Sequence, residues 1–210
     1  MSLSALLNEV STYYSAKVRE HGPSPRGVDW NSVQSQEVRF EQLLKVVDPD
    51  DPGVLGDYGC GYGGLLDYLQ RQELRCAYRG YDISEAMLDA AHERHADHST
   101  VLFTRNDEDL VGCDFVVASG IFNVKLHTSD ADWRHYVFQT IDRIAELSTR
   151  GFAFNCLTSY SDADRMRPDL HYADPCELFD HCKRRFSRNV ALLHDYDLFE
   201  FTLLIRKSGT

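Results

Sequence analysis

The chain of 210 residues carries 33 acidic and 22 basic side chains, a net charge of −11 with neutral histidines, and 43% hydrophobic residues. That length suits one domain, or one domain with a small appendage, and excludes a large second one. The acidic balance disfavours nucleic acid as the main partner, since neutralising a phosphate backbone needs clustered Lys and Arg, and no apolar run approaches the roughly 18 residues of a membrane span.

In chain order, residues 1–50 read as two helical pieces. Leu3, Leu6, Leu7 and Val10 recur at helical spacing, as do Val33, Val38, Phe40, Leu43, Leu44 and Val47. Gly22, Pro23, Pro25 and Gly27 stop the first piece, and Pro49 and Pro52 mark the next break. The expected organisation is a helical cap segment over 1–50 and a main domain over 51–210. From residue 54 the short apolar runs 54–58, 76–81, 101–104, 115–118 and 152–157 alternate with the amphipathic stretches 63–72, 84–96 and 130–148. This alternation predicts a doubly wound, Rossmann-like α/β domain with a mostly parallel sheet. After a helix over 175–183, the runs 190–196 and 199–206 are separated by Asp197 and Leu198. So short a link cannot cross over a sheet, and a C-terminal antiparallel hairpin completes a seven-stranded sheet.

Residues 1–10 lack the basic and apolar regions of a secretion signal, so the expected location is the cytoplasm. Cys60, Cys76, Cys113, Cys156, Cys176 and Cys182 are scattered without a CxxC pair and are read as reduced thiols. His92, His95 and His98, and the group Cys176, His181 and Cys182, match no zinc spacing; the first set reads as an exposed helix end, the second as a mostly buried helix, and no metal is expected.

The stretch from Val54 through Asp57, Gly59, Cys60, Gly61, Tyr62 and Gly63 to Gly64 is a strand that runs into a glycine loop and then a helix, the form of a nucleotide-binding turn. Gly59, Gly61 and Gly64 satisfy G-x-G-x-x-G, and Asp82 ends the next strand, where a ribose-binding acid belongs. A nicotinamide dinucleotide fits that much. Asp57, however, suits an ammonium group and would repel a pyrophosphate. Asn106 and Asp107 follow the third strand, where they could meet an adenine edge. Too few residues precede the first strand to hold a hydride-acceptor domain.

With these features the chain resembles the class I S-adenosylmethionine-dependent methyltransferases over about residues 54–206. Asp57-x-Gly59-x-Gly61-x-Gly63 is similar to the family's first motif, and the resemblance implies that its backbone, with Cys60 and Tyr62, embraces the methionine part of the cofactor. Gly80-Tyr81-Asp82-Ile83-Ser84 with Met87 and Leu88 is similar to the second, with Asp82 on the ribose hydroxyls and Ile83 and Met87 beside adenine. Asn106 and Asp107 resemble the adenine-contacting turn, and Ser119 and Gly120 follow the fourth strand, where the family lines the transferred methyl. In the family the region before the first strand often covers the site. Trp30 and the pair Tyr13 and Tyr14 would then exclude water from the sulfonium, and Arg39 could fork onto the cofactor's carboxylate. Arg39 as a solvated helix residue and Trp30 as a packing anchor stay equally open.

The implied activity is transfer of a methyl from S-adenosylmethionine to a small molecule, most readily an oxygen, with S-adenosylhomocysteine as product. The stretch 118–127 lacks the Asn/Asp-Pro-Pro-Tyr motif used on planar nitrogens. Asn123 and Lys125 could orient an anionic acceptor, and His127 is the candidate base. The loop 157–175, with Tyr160, Arg165, Arg167, His171 and Tyr172, is a second candidate wall that would suit a carboxylate or phosphate. A small NAD(P)-dependent oxidoreductase and a non-catalytic S-adenosylmethionine-binding module are the alternatives; the oligomeric state is open.

Overall fold

The computed structural model describes residues 3–98 and 100–207. Within them, β1 (Val54–Tyr58), β2 (Ala77–Tyr81), β3 (Val101–Thr104), β4 (Cys113–Ala118), β5 (Ser148–Leu157), β6 (Asn189–Leu193) and β7 (Glu200–Arg206) form one seven-stranded sheet in the order β3-β2-β1-β4-β5-β7-β6. Pairs among β1 to β5 are parallel, and β7 is antiparallel to both β5 and β6. The helices are α1 (Leu3–His21), α2 (Val33–Leu44), α3 (Gly64–Arg71), α4 (Glu85–Arg94), α5 (Asp130–Leu147) and α6 (Pro175–Arg185).

The strands are apolar on both faces because helices cover both, and alternate residues serve opposite cores. In β4, Phe115 and Val117 pack with Leu43 of α2, Leu65 of α3 and Leu88 of α4, while Val116 and Ala118 face Ile141 and Ile144 of α5. β5 and β7 split the same way, with Phe152, Phe154, Phe201 and Leu203 on the α5–α6 side and Ala153 and Leu204 on the other. The segment ahead of β1 shares these cores. Phe40, Leu43, Val46 and Val47 are buried on one face and Leu6 on the other, whereas Leu3 and Val33, despite their helical spacing, are exposed.

The sheet departs from the sequence reading in two places. β6 stops at Leu193 and β7 starts at Glu200, so the link spans 194–199 rather than two residues. Asp197 takes a left-handed φ of 57°, and the Tyr196 hydroxyl folds back to within 3.0 Å of that of Thr202. β5 begins at Ser148, directly after α5. His95 is buried rather than exposed, with Nε2 3.1 Å from the Gly63 carbonyl and its ring beside Phe103.

The turn after β4 is anchored by Phe122, which lies edge-on to Phe154 and whose carbonyl accepts a hydrogen bond of 2.8 Å from the fully buried Trp133 indole. Phe122→Ala is expected to lower stability by about 3–5 kcal/mol, read as a lower urea midpoint with an unchanged slope.

Candidate functional site

Strand order reverses at β1, whose neighbours β2 and β4 lead to opposite sides of the sheet. Open α/β sheets form a crevice beyond the carboxyl ends of the strands at such a point. The cavity lies there. Tyr58, Gly59 and Gly61 after β1, Tyr81, Asp82 and Ile83 after β2, and Ser119, Gly120 and Ile121 after β4 line it, with Met87 of α4 and Tyr136 of α5. Leu7, Val10 and Tyr14 of α1 and Val28 and Trp30 beyond it complete the lining.

Backbone hydrogen bonds tie the glycine loop to the end of β2. The Gly59 and Cys60 amides both donate to the Tyr81 carbonyl, at 2.8 and 2.9 Å. The Gly61 amide donates to Asp82 Oδ2 and the Ser84 amide to Asp82 Oδ1, each at 2.8 Å. Burial pushes the Asp82 carboxyl above its ordinary value, while amides of Ser84, Gly61 and Ile83 pull it back. Ser84 also caps α4 by accepting from the Met87 amide at 3.2 Å, and its hydroxyl meets that of Ser15 at 2.8 Å. Ser11 donates to the Ile83 carbonyl at 3.3 Å, so α1 is pinned across the same strand end.

The two close approaches at the cavity require glycine. Gly59 has φ 84°, and a Cβ there would lie 2.3 Å from Ile121 Cγ2; Gly120 has φ 74°, and a Cβ there would lie 2.4 Å from the Trp30 ring.

Of the residues singled out in the sequence, Trp30, Gly59, Gly61, Asp82, Ile83, Met87, Ser119 and Gly120 line the cavity. The others are turned elsewhere. Asp57 is buried and accepts the Tyr78 hydroxyl at 2.6 Å, so its carboxylate is already engaged. Cys60 points under Gly80, and Tyr62 donates to Gln36 at 3.0 Å. Asn106 is exposed and caps the short turn after β3 by accepting from the Glu108 amide, and Asp107 pairs with Arg143 at 2.9 Å. Neither lines the cavity, because the cap and the ion pair claim both side chains. Arg39 is neither solvated nor free to fork: it is buried against Glu200, with Nε–Oε2 at 2.9 Å and a second contact at 2.5 Å.

On the acceptor side, His127 is exposed and does not line the cavity. Asn123 turns inward to accept the Leu157 amide at 3.0 Å, and Lys125 pairs with Asp130 at 3.2 Å. In the loop 157–175, Arg165 pairs with Asp162 and Arg167 with Asp169, and Tyr160, His171 and Tyr172 also lie outside the lining. Sequence reasoning passed over Tyr58, Tyr81 and Tyr136. Tyr58 and Tyr81 end adjacent strands with ring centroids 4.7 Å apart, and each immediately precedes a residue that was singled out. Burial pushes Tyr81 up to about 12 and raises Tyr14, Tyr58 and Tyr136 further, so these phenols are neutral donors. The Ser119 hydroxyl is buried at the cavity without a hydrogen-bond partner among the described residues.

A methyltransferase-domain family matches residues 57–149. A Mycobacterium tuberculosis protein named "Putative methyltransferase Rv1506c" is 50% identical over 169 residues, covering 79% of this chain and all of that protein. Among solved structures, the N-methyltransferase NodS from Bradyrhizobium japonicum, in complex with S-adenosylhomocysteine, superposes with a TM-score of 0.63 at 15% identity, covering 93% of this chain and 98% of that one. An O-methyltransferase family protein from Burkholderia thailandensis gives 0.60 at 15% identity over 84% of this chain; the chain spans only 56% of that protein's length.

The Asp57 carboxyl, pushed up to about 7 by burial against the pull of the Tyr78 hydroxyl, makes stability pH-dependent. Its folded value lies above its unfolded one, so the folded state binds the extra proton. The contribution is fully present below about pH 4 and is lost as pH rises through about 7. Asp57→Asn, which can still accept the Tyr78 hydroxyl, is expected to remove a fall on the order of 4 kcal/mol between those limits, measured as the difference between the two proteins' urea stabilities across pH.

Proposed function

The chain belongs to the class I S-adenosylmethionine-dependent methyltransferases, and from that premise we propose that it transfers a methyl group to the hydroxyl oxygen of a small, largely apolar, uncharged molecule seated between Ser119 and the N-terminal helices. The observation that carries this reading is the lining itself. Aromatic and aliphatic walls enclose the Ser119 hydroxyl, and among the described residues none gives it a hydrogen bond and no Lys, Arg or His stands in the lining.

The residues present fit the cofactor. The Gly59 and Gly120 turns let Ile121 and Trp30 close onto the cavity, and Asp82, committed to two amides, keeps lone pairs on both oxygens for a ribose diol. Ile83 and Met87 offer an apolar slot beside it. When bound, S-adenosylmethionine supplies a methyl already activated on a cationic sulfonium. The faces of Trp30, Tyr14, Tyr58, Tyr81 and Tyr136 favour positive charge and keep water out, so that the nucleophile is poorly screened. Ser119 Oγ holds the acceptor hydroxyl in line. With only phenols and Asp82 among the described lining residues, the acceptor's proton passes to solvent as its oxygen gains the methyl and the methyl–sulfur bond breaks, which favours the more acidic hydroxyls of phenols and enols over alkyl alcohols. An anionic acceptor, which the arginines of 157–175 suggested, would meet the acidic Asp82 and no basic side chain among the described lining residues.

S-adenosylhomocysteine should bind the purified protein by calorimetry, and Asp82→Ala should weaken that binding at least about tenfold, a loss of roughly 1.4 kcal/mol or more. Mass spectrometry of turnover mixtures should show methylated uncharged phenols or enols. Turnover confined to carboxylates or phosphates would overturn the acceptor assignment, and cofactor binding with no turnover of any acceptor class would favour a non-catalytic module.

A further inference from the structure

A chain of buried polar groups runs from β7 to two walls of the cavity and takes no part in the chemistry above. Glu200 is 1% exposed, Asn155 fully buried and Arg39 7% exposed. Glu200 Oε2 accepts from Arg39 Nε at 2.9 Å and from Asn155 Nδ2 at 2.7 Å, and Oε1 accepts from Arg39 at 2.5 Å. A carboxylate only accepts, so it dictates which way the Asn155 amide faces. Asn155 Oδ1 is thereby presented to the Gly120 amide, 2.7 Å away. At the other end the Arg39 guanidinium lies 3.8 Å from the Trp30 ring centroid, and that ring occupies the space a Gly120 Cβ would fill. The contacts close a ring: Gly120, Asn155, Glu200, Arg39, Trp30 and back to Gly120.

A buried ion pair is weak evidence of stabilisation, because apolar residues of similar volume often replace one at no cost. Its use here is geometric. We propose that Arg39, Glu200 and Asn155 are positioning residues that lock Trp30 and the Ser119–Gly120 turn against each other, setting the gap in which the methyl donor and the acceptor meet. Without Glu200 the Asn155 amide is free to flip, the Gly120 amide loses its acceptor, and Trp30 loses the planar cation beneath it. This inference rests on the methyltransferase reading for its functional consequence and on Trp30 alone for its structural one.

The test is the double variant Arg39→Met/Glu200→Gln, which leaves no unpaired buried charge. Acrylamide quenching of tryptophan fluorescence reads Trp30, because the protein's other tryptophan, Trp133, is 0% exposed. Quenching is expected to rise, with S-adenosylhomocysteine affinity falling about tenfold, while the melting temperature stays within a few degrees. Unchanged quenching, or unchanged affinity despite increased quenching, would overturn the inference. If the parent protein binds no S-adenosylhomocysteine, the methyltransferase reading fails and quenching alone decides the positioning role. Should the double variant not fold, Arg39→Lys keeps the buried charge paired and removes only the flat group beneath Trp30; it is expected to raise quenching in the same direction, and unchanged quenching there is equally fatal.

Discussion

The end of β1 is laced to the end of β2, and the site depends on that lacing. The Tyr81 carbonyl receives two amides of the glycine loop, and the next carboxylate, Asp82, receives a third from the loop and a fourth from the start of α4. The loop therefore has its shape before any ligand arrives, and little ordering cost remains to oppose binding. The same strand end holds α1 through Ser11 and Ser15, so floor and cover are referenced to one point. Sheet topology chose the place, because the reversal of strand order at β1 leaves a crevice at that end of the strands.

Three acids, Asp57 and Glu200 buried and Asp82 half-buried, surround this frame, and each is accommodated by different chemistry. Asp57 lies beneath the loop with a phenol for company and is pushed up to about 7. Asp82 is held by backbone amides at the cavity wall. Glu200 is met by a guanidinium and an amide deep under the turn after β4. Burying an acid is costly unless its lone pairs are used, so each carboxylate must fix the groups around it. At Asp82 this yields a preorganised ligand surface, and at Glu200 it sets the spacing of two cavity walls. At Asp57 it stiffens the strand pair that carries the loop, at the expense of stability near neutral pH.

Strands closely bracketed by turn signals were the most legible elements. β1 and β3 coincide with the runs at 54–58 and 101–104, since Gly53 and Gly59 bracket the first and polar turns the second. The expected run 190–196 crosses His194 and Asp195, polar residues that follow the last strand residue, Leu193, and Asp197 then takes a left-handed turn, so the link before β7 is longer than two residues. At the site, residues fixed by backbone geometry, such as Gly59, Asp82 and Gly120, were legible, because a turn or strand end defines where they sit. Residues whose side chains had competing partners were not. Asn106 prefers its own turn, Asp107 prefers Arg143, and Arg39 prefers Glu200. Tyr58 and Tyr81 were hidden because a tyrosine at a strand end is equally an ordinary strand former. Asn155 shows in the sequence only as a polar residue within the run 152–157 and Glu200 only as an acid at the start of β7, and what each one meets is a matter of tertiary contact.

Hydrogen–deuterium exchange with and without S-adenosylhomocysteine tests most directly the claim that one cavity joins the glycine loop, the β4 turn and the N-terminal helix into a cofactor site. Exchange should slow together in 59–61, 82–84 and 119–121 and in α1. Protection of the loop with α1 unchanged, or protection confined to another face of the sheet, would contradict it.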